Sequence, residues 1–291
     1  MAPRDTGLNA FTIMTFCWFF AGFLGLKLAH YLRGMQFQAP EDFTAGRVLL
    51  IDKPLGWTSF DVVNKVRTTL YKSLGLKKLK VGHAGTLDPL ATGVLVVCTG
   101  AMTKQIDGLL SADKGYRAVI RLGATTASSD AETEVDSWGP SDAVLALDRD
   151  RVAAALPPLT GVILQRPPAF SAKKIDGQRA YALARAGAAP DLPPVTVTVH
   201  RFDLTGLQPT VTDGHPVLDV TVEIHCSKGT YIRSLARDLG AALGVGGTLV
   251  ALHRTASGTF TDADTWPLET LLARIRSLAP AGNDTPETPA P

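Results

Sequence analysis

Three stretches of this chain alternate apolar and polar residues with a period of two: YRAVIRL (116–122), VTVTVHRFDL (195–204) and VLDVTVEIHC (217–226). Such alternation sends successive side chains to opposite faces, so it predicts half-buried antiparallel strands sharing one sheet. The short apolar runs VLLI (48–51) and VLVVC (94–98) read as buried strands. Elsewhere the period is helical. Thr58, with Asp61 three residues on, has the form of an N-cap, and Val62, Val66 and Leu70 follow at helical spacing. TYIRSLARDLGAAL (230–243) places Ile232, Leu235, Leu239 and Leu243 on one stripe. These elements predict an α+β fold, a mixed and mostly antiparallel sheet flanked by helices and loops. With 291 residues, 45% of them hydrophobic, the chain can build one large core or two small ones.

Between the predicted strands lies GHAGTLDPLATG (82–93), in which a single acid, Asp88, stands among His83, Thr86, Thr92 and three glycines. Glycine permits backbone conformations closed to other residues, and Pro89 fixes the chain just after the acid. A carboxylate on a constrained turn is a candidate catalytic group. The plain alternative is an Asp-Pro pair that only starts a turn.

A net charge of +2 with 19% charged residues does not by itself call for a nucleic-acid partner, whose signature is a concentrated basic face. Local clustering says more: Lys65, Arg67, Lys72, Lys77, Lys78 and Lys80 fall within sixteen residues just before the loop. They could hold a polyanionic backbone beside Asp88, or form an ordinary solvated helix face. The three cysteines, Cys17, Cys98 and Cys226, have neither CxxC nor Cys/His spacing, so no disulfide framework or zinc site is expected. Cys98 should be a core residue, and Cys226 has no neighbouring base to activate it. The chain has no dinucleotide fingerprint or Walker loop, and neither a metal nor another cofactor is expected.

The ends differ from the middle. Thr6 to Leu26 carries no charge and includes TIMTFCWFFAGFLGL, long enough to cross a bilayer that needs about 20 residues. A membrane anchor, a signal peptide and a start assigned too early compete here, and the favoured reading is that Met35 opens the protein. Only Arg4, next to Asp5, precedes the apolar stretch, and no A-x-A-like site follows it, which disfavours secretion. The tail AGNDTPETPAP has little apolar surface to bury and should be disordered. The expected division is 1–34 as an apolar extension, 35–262 as the catalytic domain, and 263–291 as a short C-terminal segment and tail.

GHAGTLDPLATG resembles the signature loop of the bacterial TruB family of tRNA pseudouridine synthases. IDKPLGWTSFDVVNKVR (51–67), KGYRAVIRLGATTASSDAE (114–132), QRPPAFSAKKIDGQRAYALAR (165–185) and CSKGTYIRSLARDLG (226–240) are similar to the family's other blocks, in the family's order. The resemblance spans roughly residues 48 to 258, and about thirty residues follow, too few for an independent core. The small C-terminal RNA-binding domain of the longer family members is therefore expected to be absent or vestigial.

The resemblance implies a pseudouridine-synthase-like fold and the isomerisation of uridine 55 in the tRNA T-loop, with Asp88 as nucleophile, Arg233 of GTYIR paired to it, and Tyr116 against the uracil ring. Attack at C1′, attack at the base, and a glycal route beginning with the 2′ proton all remain open. It also places His83 where it meets the flipped RNA, and Tyr231 and Leu252 along the base pocket. Lys53, in DKPLGWTS, is grouped with these substrate-binding residues, its preferred part being to support the loop. Lys228, Arg185, Lys173 and Lys174 are expected to face RNA phosphate. Ser129, Asp130 and Glu132 are expected to orient neighbours or line the pocket, with no catalytic role. The implied partner is the tRNA T-arm, met by a monomer without a protein partner in the cytoplasm; residues 1–34, if translated, could tether it to a membrane. A non-catalytic tRNA-binding or tRNA-folding protein on the same scaffold is the alternative.

Overall fold

The three alternating stretches become central strands of one sheet in a computed structural model that describes residues 37–171, 174–175, 178–180 and 192–279. The calls on residues 1–34, Lys173, Arg185 and the last twelve residues lie outside the described residues.

The main sheet has ten strands: β1 (Val48–Lys53), β2 (Val81–His83), β3 (Ala91–Thr99), β4 (Lys114–Leu122), β5 (Gly161–Gln165), β6 (Val195–Thr212), β7 (His215–Cys226), β8 (Gly247–Ser257), β9 (Phe260–Thr261) and β10 (Trp266–Pro267). Their order is β10-β1-β3-β8-β4-β7-β6-β5, with β2 paired to β3 and β9 to β8. Two pairings are parallel, β1 with β10 and β3 with β8, and the rest are antiparallel. β6 and β7 run beyond the alternating stretches and meet at Asp213-Gly214, both at positive φ, 49° and 79°. Thr212 pairs with His215 across that two-residue turn, the tight connection that Asp-Gly favours.

Three longer helices matter for the site: α1 (Ser59–Leu74), α2 (Ile232–Ala242) and α3 (Leu268–Arg276). α1 starts in a capping box: Thr58 Oγ1 accepts from the Asp61 amide at 3.0 Å, and the Asp61 carboxylate accepts from the Thr58 amide at 2.9 Å. It ends at Gly75, whose φ of 64° is left-handed.

Register places the helices. Leu252 of β8 lies opposite Ala91 and Ala118, and Arg254 lies opposite Gly93 and Tyr116, so these residues share a face. Continuing by alternation, Leu95 and Val97 occupy the same face, where they pack with Val62, Val66 and Leu70 of α1 and Leu271, Leu272 and Ile275 of α3. Ala118, Ile120, Val220, Val222 and Ile224 pack there under Ile232, Leu235 and Leu239 of α2. The opposite face carries Val48, Leu50, Val94, Val96 and Cys98 against Ala84 and Phe260. α3 shows that the segment after residue 263 contributes to the main core. Among the described residues no helix is long and apolar enough to cross a membrane.

Candidate active site

The loop carrying Asp88 joins β2 to β3 and is anchored almost entirely by residues outside itself. Ser59, the first residue of α1 and 2% exposed, accepts from the Leu87 amide at 2.8 Å and donates to the Leu87 carbonyl at 3.0 Å. The Pro89 carbonyl accepts from the Gly56 amide at 2.9 Å and from Lys53 Nζ at 3.2 Å. Lys53 also donates to the carbonyls of Pro54 and Trp57 and has no exposed surface. Burial pulls its pKa down to about 8. The expectation that Lys53 meets the substrate is therefore corrected: its ammonium is enclosed and spent on backbone carbonyls, which is its loop-supporting part.

On the far side, Arg254 reaches from β8 under the loop. Its Nη2 donates to Gly85 O at 3.0 Å, Nη1 to Thr86 O at 3.5 Å, and Nε to Val94 O at 2.7 Å. Strand and loop approach so closely here that a Cβ at Gly93 would fall 2.3 Å from the Arg254 carbonyl oxygen. Only glycine fits.

Arg233 comes from the first turn of α2 and is 6% exposed in its side chain. Its Nη2 stands 3.1 Å from Asp88 Oδ2 and donates to Phe170 O at 2.7 Å; its Nη1 stands 3.5 Å from Asp130 Oδ2 and donates to Ser128 O at 3.2 Å. A planar guanidinium suits this work, because its fork presents donors in fixed directions. Asp130 is itself held. The Glu132 amide donates to its Oδ1 at 2.9 Å, Thr126 Oγ1 donates to its carbonyl at 2.7 Å, and Ser129 before it takes a φ of 59°. This agrees with an orienting part for Asp130.

Asp88 keeps 42% of its side-chain surface open, at the edge of a small cleft it shares with Leu90, Ala91, Asp130, Leu249 and Leu252. Its pKa lies above the usual carboxylate value because desolvation outweighs the opposing influence of Arg233, with Asp130 and Glu132 pushing further upward. Arg233 thus limits the rise without cancelling it.

Tyr116, half-buried on β4 opposite Arg254, has its phenol pushed up by burial, with the neighbouring guanidinium opposing the shift. Tyr231 is the N-cap of α2; its amide donates to Gln165 Oε1 at 2.8 Å and its carbonyl accepts from Gln165 Nε2 at 3.1 Å. Burial raises its phenol too, while nearby Ser171 and Arg233 oppose that. His83 sits half-buried on β2, its pKa lowered by burial and by Arg254, and its Nδ1 has no hydrogen-bond partner among the described residues. Lys228 is exposed and donates to Ser111 Oγ at 3.3 Å. Lys174 falls in a short strand pair with Arg179, described in its backbone. Cys98 and Cys226 are buried, their thiols pushed up to about 12 and about 11. No group of three or more metal-ligating side chains is found among the described residues.

Asp88 and Leu252 thus edge the cleft, Arg233 is paired to Asp88, and Tyr116 and Tyr231 lie near enough to feel the charge of Asp88. Sequence reasoning missed Ser59 and Arg254. Arg254 could have been noticed as a cation at an inward-facing position of a strand, two residues after Leu252; Ser59 gives no such signal, since a Ser at a helix start is ordinary.

The description "TruB family pseudouridylate synthase (N terminal domain)" matches residues 72–232, and "tRNA pseudouridylate synthase B C-terminal domain" matches residues 233–281. The chain is 47% identical over 220 residues to the tRNA pseudouridine synthase B of Parabacteroides distasonis, covering 76% of this chain and 89% of that one. The tRNA pseudouridine synthase B of Thermobifida fusca is 48% identical over 231 residues, covering 79% and 76%. Among solved structures, a Cbf5-Nop10-Gar1 complex contains a similar chain, with a TM-score of 0.56 and 29% identity over 81% of this chain and 58% of that one. A second, in an H/ACA RNP bound to a substrate RNA containing 2'-deoxyuridine, has a TM-score of 0.55 and 27% identity over 80% and 56%. Through both family descriptions and through relatives matched over most of their length, the chain belongs to the TruB family of pseudouridylate synthases.

Proposed function

We propose that this protein converts uridine to pseudouridine at position 55 in the T-loop of tRNA, with Asp88 as nucleophile. The observation that carries the reading is the ion pair of Asp88 and Arg233, 3.1 Å apart, at a cleft edged by Leu252. The reaction breaks the bond from N1 to C1′, turns the uracil, and joins C5 to C1′; C5 gives up its proton and N1 gains one, so composition is unchanged. An ionised Asp88 serves attack at C1′, attack at the base, or removal of the 2′ proton.

Arg233 orients that carboxylate and favours its charged form. Tyr116 lies against the flipped base, and as the product ring regains aromaticity its phenol relays the C5 proton, the oxygen taking it up while the hydroxyl's own proton passes to solvent. Leu252 and Tyr231 line the base pocket. His83 meets the RNA that the flipped nucleotide leaves. Lys228 takes phosphate from the exposed rim. The catalytic domain runs from residue 35 through α3, whose Leu271, Leu272 and Ile275 pack in its core, and the protein acts as a cytoplasmic monomer on the T-arm.

Purified protein is incubated with unmodified tRNA, and pseudouridine is mapped by carbodiimide adduct and primer extension. A new stop at position 55 is expected. No stop there, with tRNA still bound, would mean a non-catalytic RNA-binding protein on this scaffold.

A further inference from the structure

Phe60 and Tyr71 are 63% and 48% exposed, whereas every other described Phe, Tyr and Trp is buried or half-buried. Both belong to α1. At about 100° per residue, Phe60, Asn64, Arg67 and Tyr71 fall within an arc of about 60° on that helix. The helix turns Val62, Val63, Val66, Thr69 and Leu70 inward, so the arc is its outer edge. Packing does not require two large rings there, and two exposed aromatics on one edge are an unusual surface for a helix to leave in water, while Arg67 between them is half-buried and donates to Val81 O at 3.4 Å.

The stripe begins at the active site. Ser59, beside Phe60, is hydrogen-bonded to both backbone groups of Leu87, the residue before Asp88. Leu55, 64% exposed, adjoins Gly56, whose amide bonds Pro89 just after Asp88. From Phe60 to Tyr71 the stripe runs about 16 Å along the helix axis. At its far end stand Lys72 and, past Gly75, the exposed Lys77, Lys78 and Lys80; Lys65 lies on its flank.

We propose that this face of α1 docks the RNA substrate, the rings of Phe60 and Tyr71 stacking on unstacked bases near the target uridine while the lysines face the phosphates beyond. The inference rests on the uridine-isomerising reading of the Asp88 cleft. Single-stranded RNA is held in general by aromatic platforms within a basic groove, because every base has a face to stack on and the backbone is anionic throughout. The N-terminus of α1 lies beside the Asp88 loop, joined to it through Ser59 and Leu87.

The test uses the full chain with unmodified tRNA in steady-state and single-turnover assays. Phe60→Ala and Tyr71→Ala are each expected to raise KM about ten-fold, and the ring-keeping Phe60→Tyr and Tyr71→Phe to restore it. The rate constant at saturation should change less than two-fold. Lys65→Ala with Lys72→Ala should lower the slope of log affinity against log salt by about one to two. Unchanged KM in both alanine variants would overturn the proposal. So would a KM rise accompanied by an equal loss of the saturated rate, or by a fall in melting temperature, since either would mean that the rings support the fold or receive another part of the chain. Filter binding of tRNA to Asp88→Asn protein reads the same surface without turnover. Wild-type protein that binds tRNA but makes no pseudouridine would defeat the functional reading; loss of binding in Asp88→Asn with Phe60→Ala would still uphold the docking face.

Discussion

The hydroxyl of Ser59 and the peptide of Leu87 hold each other from both sides, the oxygen accepting the amide at 2.8 Å and donating to the carbonyl at 3.0 Å. One helix-start residue thereby sets where the chain enters position 88. Ser59→Ala should lower the saturated rate by roughly 10- to 100-fold through misplacement of the acid, with KM for tRNA little changed. Leaving the buried Leu87 amide unpaired costs about 1–3 kcal/mol of stability. Single-turnover kinetics and thermal melts check both, and Ser59→Thr should recover part of the rate. A KM effect with an unchanged rate would show that Ser59 does not position the acid.

Asp88→Asn should abolish conversion while tRNA binding persists; appreciable turnover would remove the acid from its proposed part. The same variant should be more stable than the parent at neutral pH. A folded-state pKa raised above the unfolded value means that ionising Asp88 costs the folded protein free energy, and that cost is present at high pH and vanishes as the carboxyl is protonated. Melting temperatures should therefore differ most near pH 7 and converge toward about pH 3.

The pH profile of the saturated rate has a related expectation. Because desolvation raises Asp88, the acidic limb should fall at a higher pH than an ordinary carboxylate would give. Arg233→Lys should move that limb, and a limb at the usual carboxylate value in the parent protein would contradict the crowding seen around the acid.

Arg233→Lys should also lose roughly 100-fold or more in rate, since an ammonium cannot serve both carboxylates and both carbonyls in the directions that the guanidinium does. Near-parental kinetics would show that the fork is dispensable.

Strands and helices were legible where one face is buried and the other wet. Thr58 with Asp61, the stripe Val62–Val66–Leu70 and the alternation of 217–226 each state their structure locally, and each is found. The hairpin at Asp213-Gly214 carries an equally local signal, an Asp-Gly pair between two alternating stretches. What local pattern cannot carry is partnership across the chain. Ser59 meets Leu87 28 residues away, and Arg254 meets Gly85 169 residues away. The resemblance paired Arg233 with Asp88, but nothing in the spacing revealed Asp130 at the second prong or showed that Lys53 would be enclosed.

Arg254 lies beneath the Asp88 loop and β8 supplies it, so the loop waits on a strand made late in synthesis. During translation, a ribosome that has released β1 through β4 has produced the acid, its glycines and the helix that abuts them, but not the prop on which they rest. Nascent chains shorter than residue 254 should therefore be inert toward uridine even where they already attract RNA, a built-in delay between contact and chemistry.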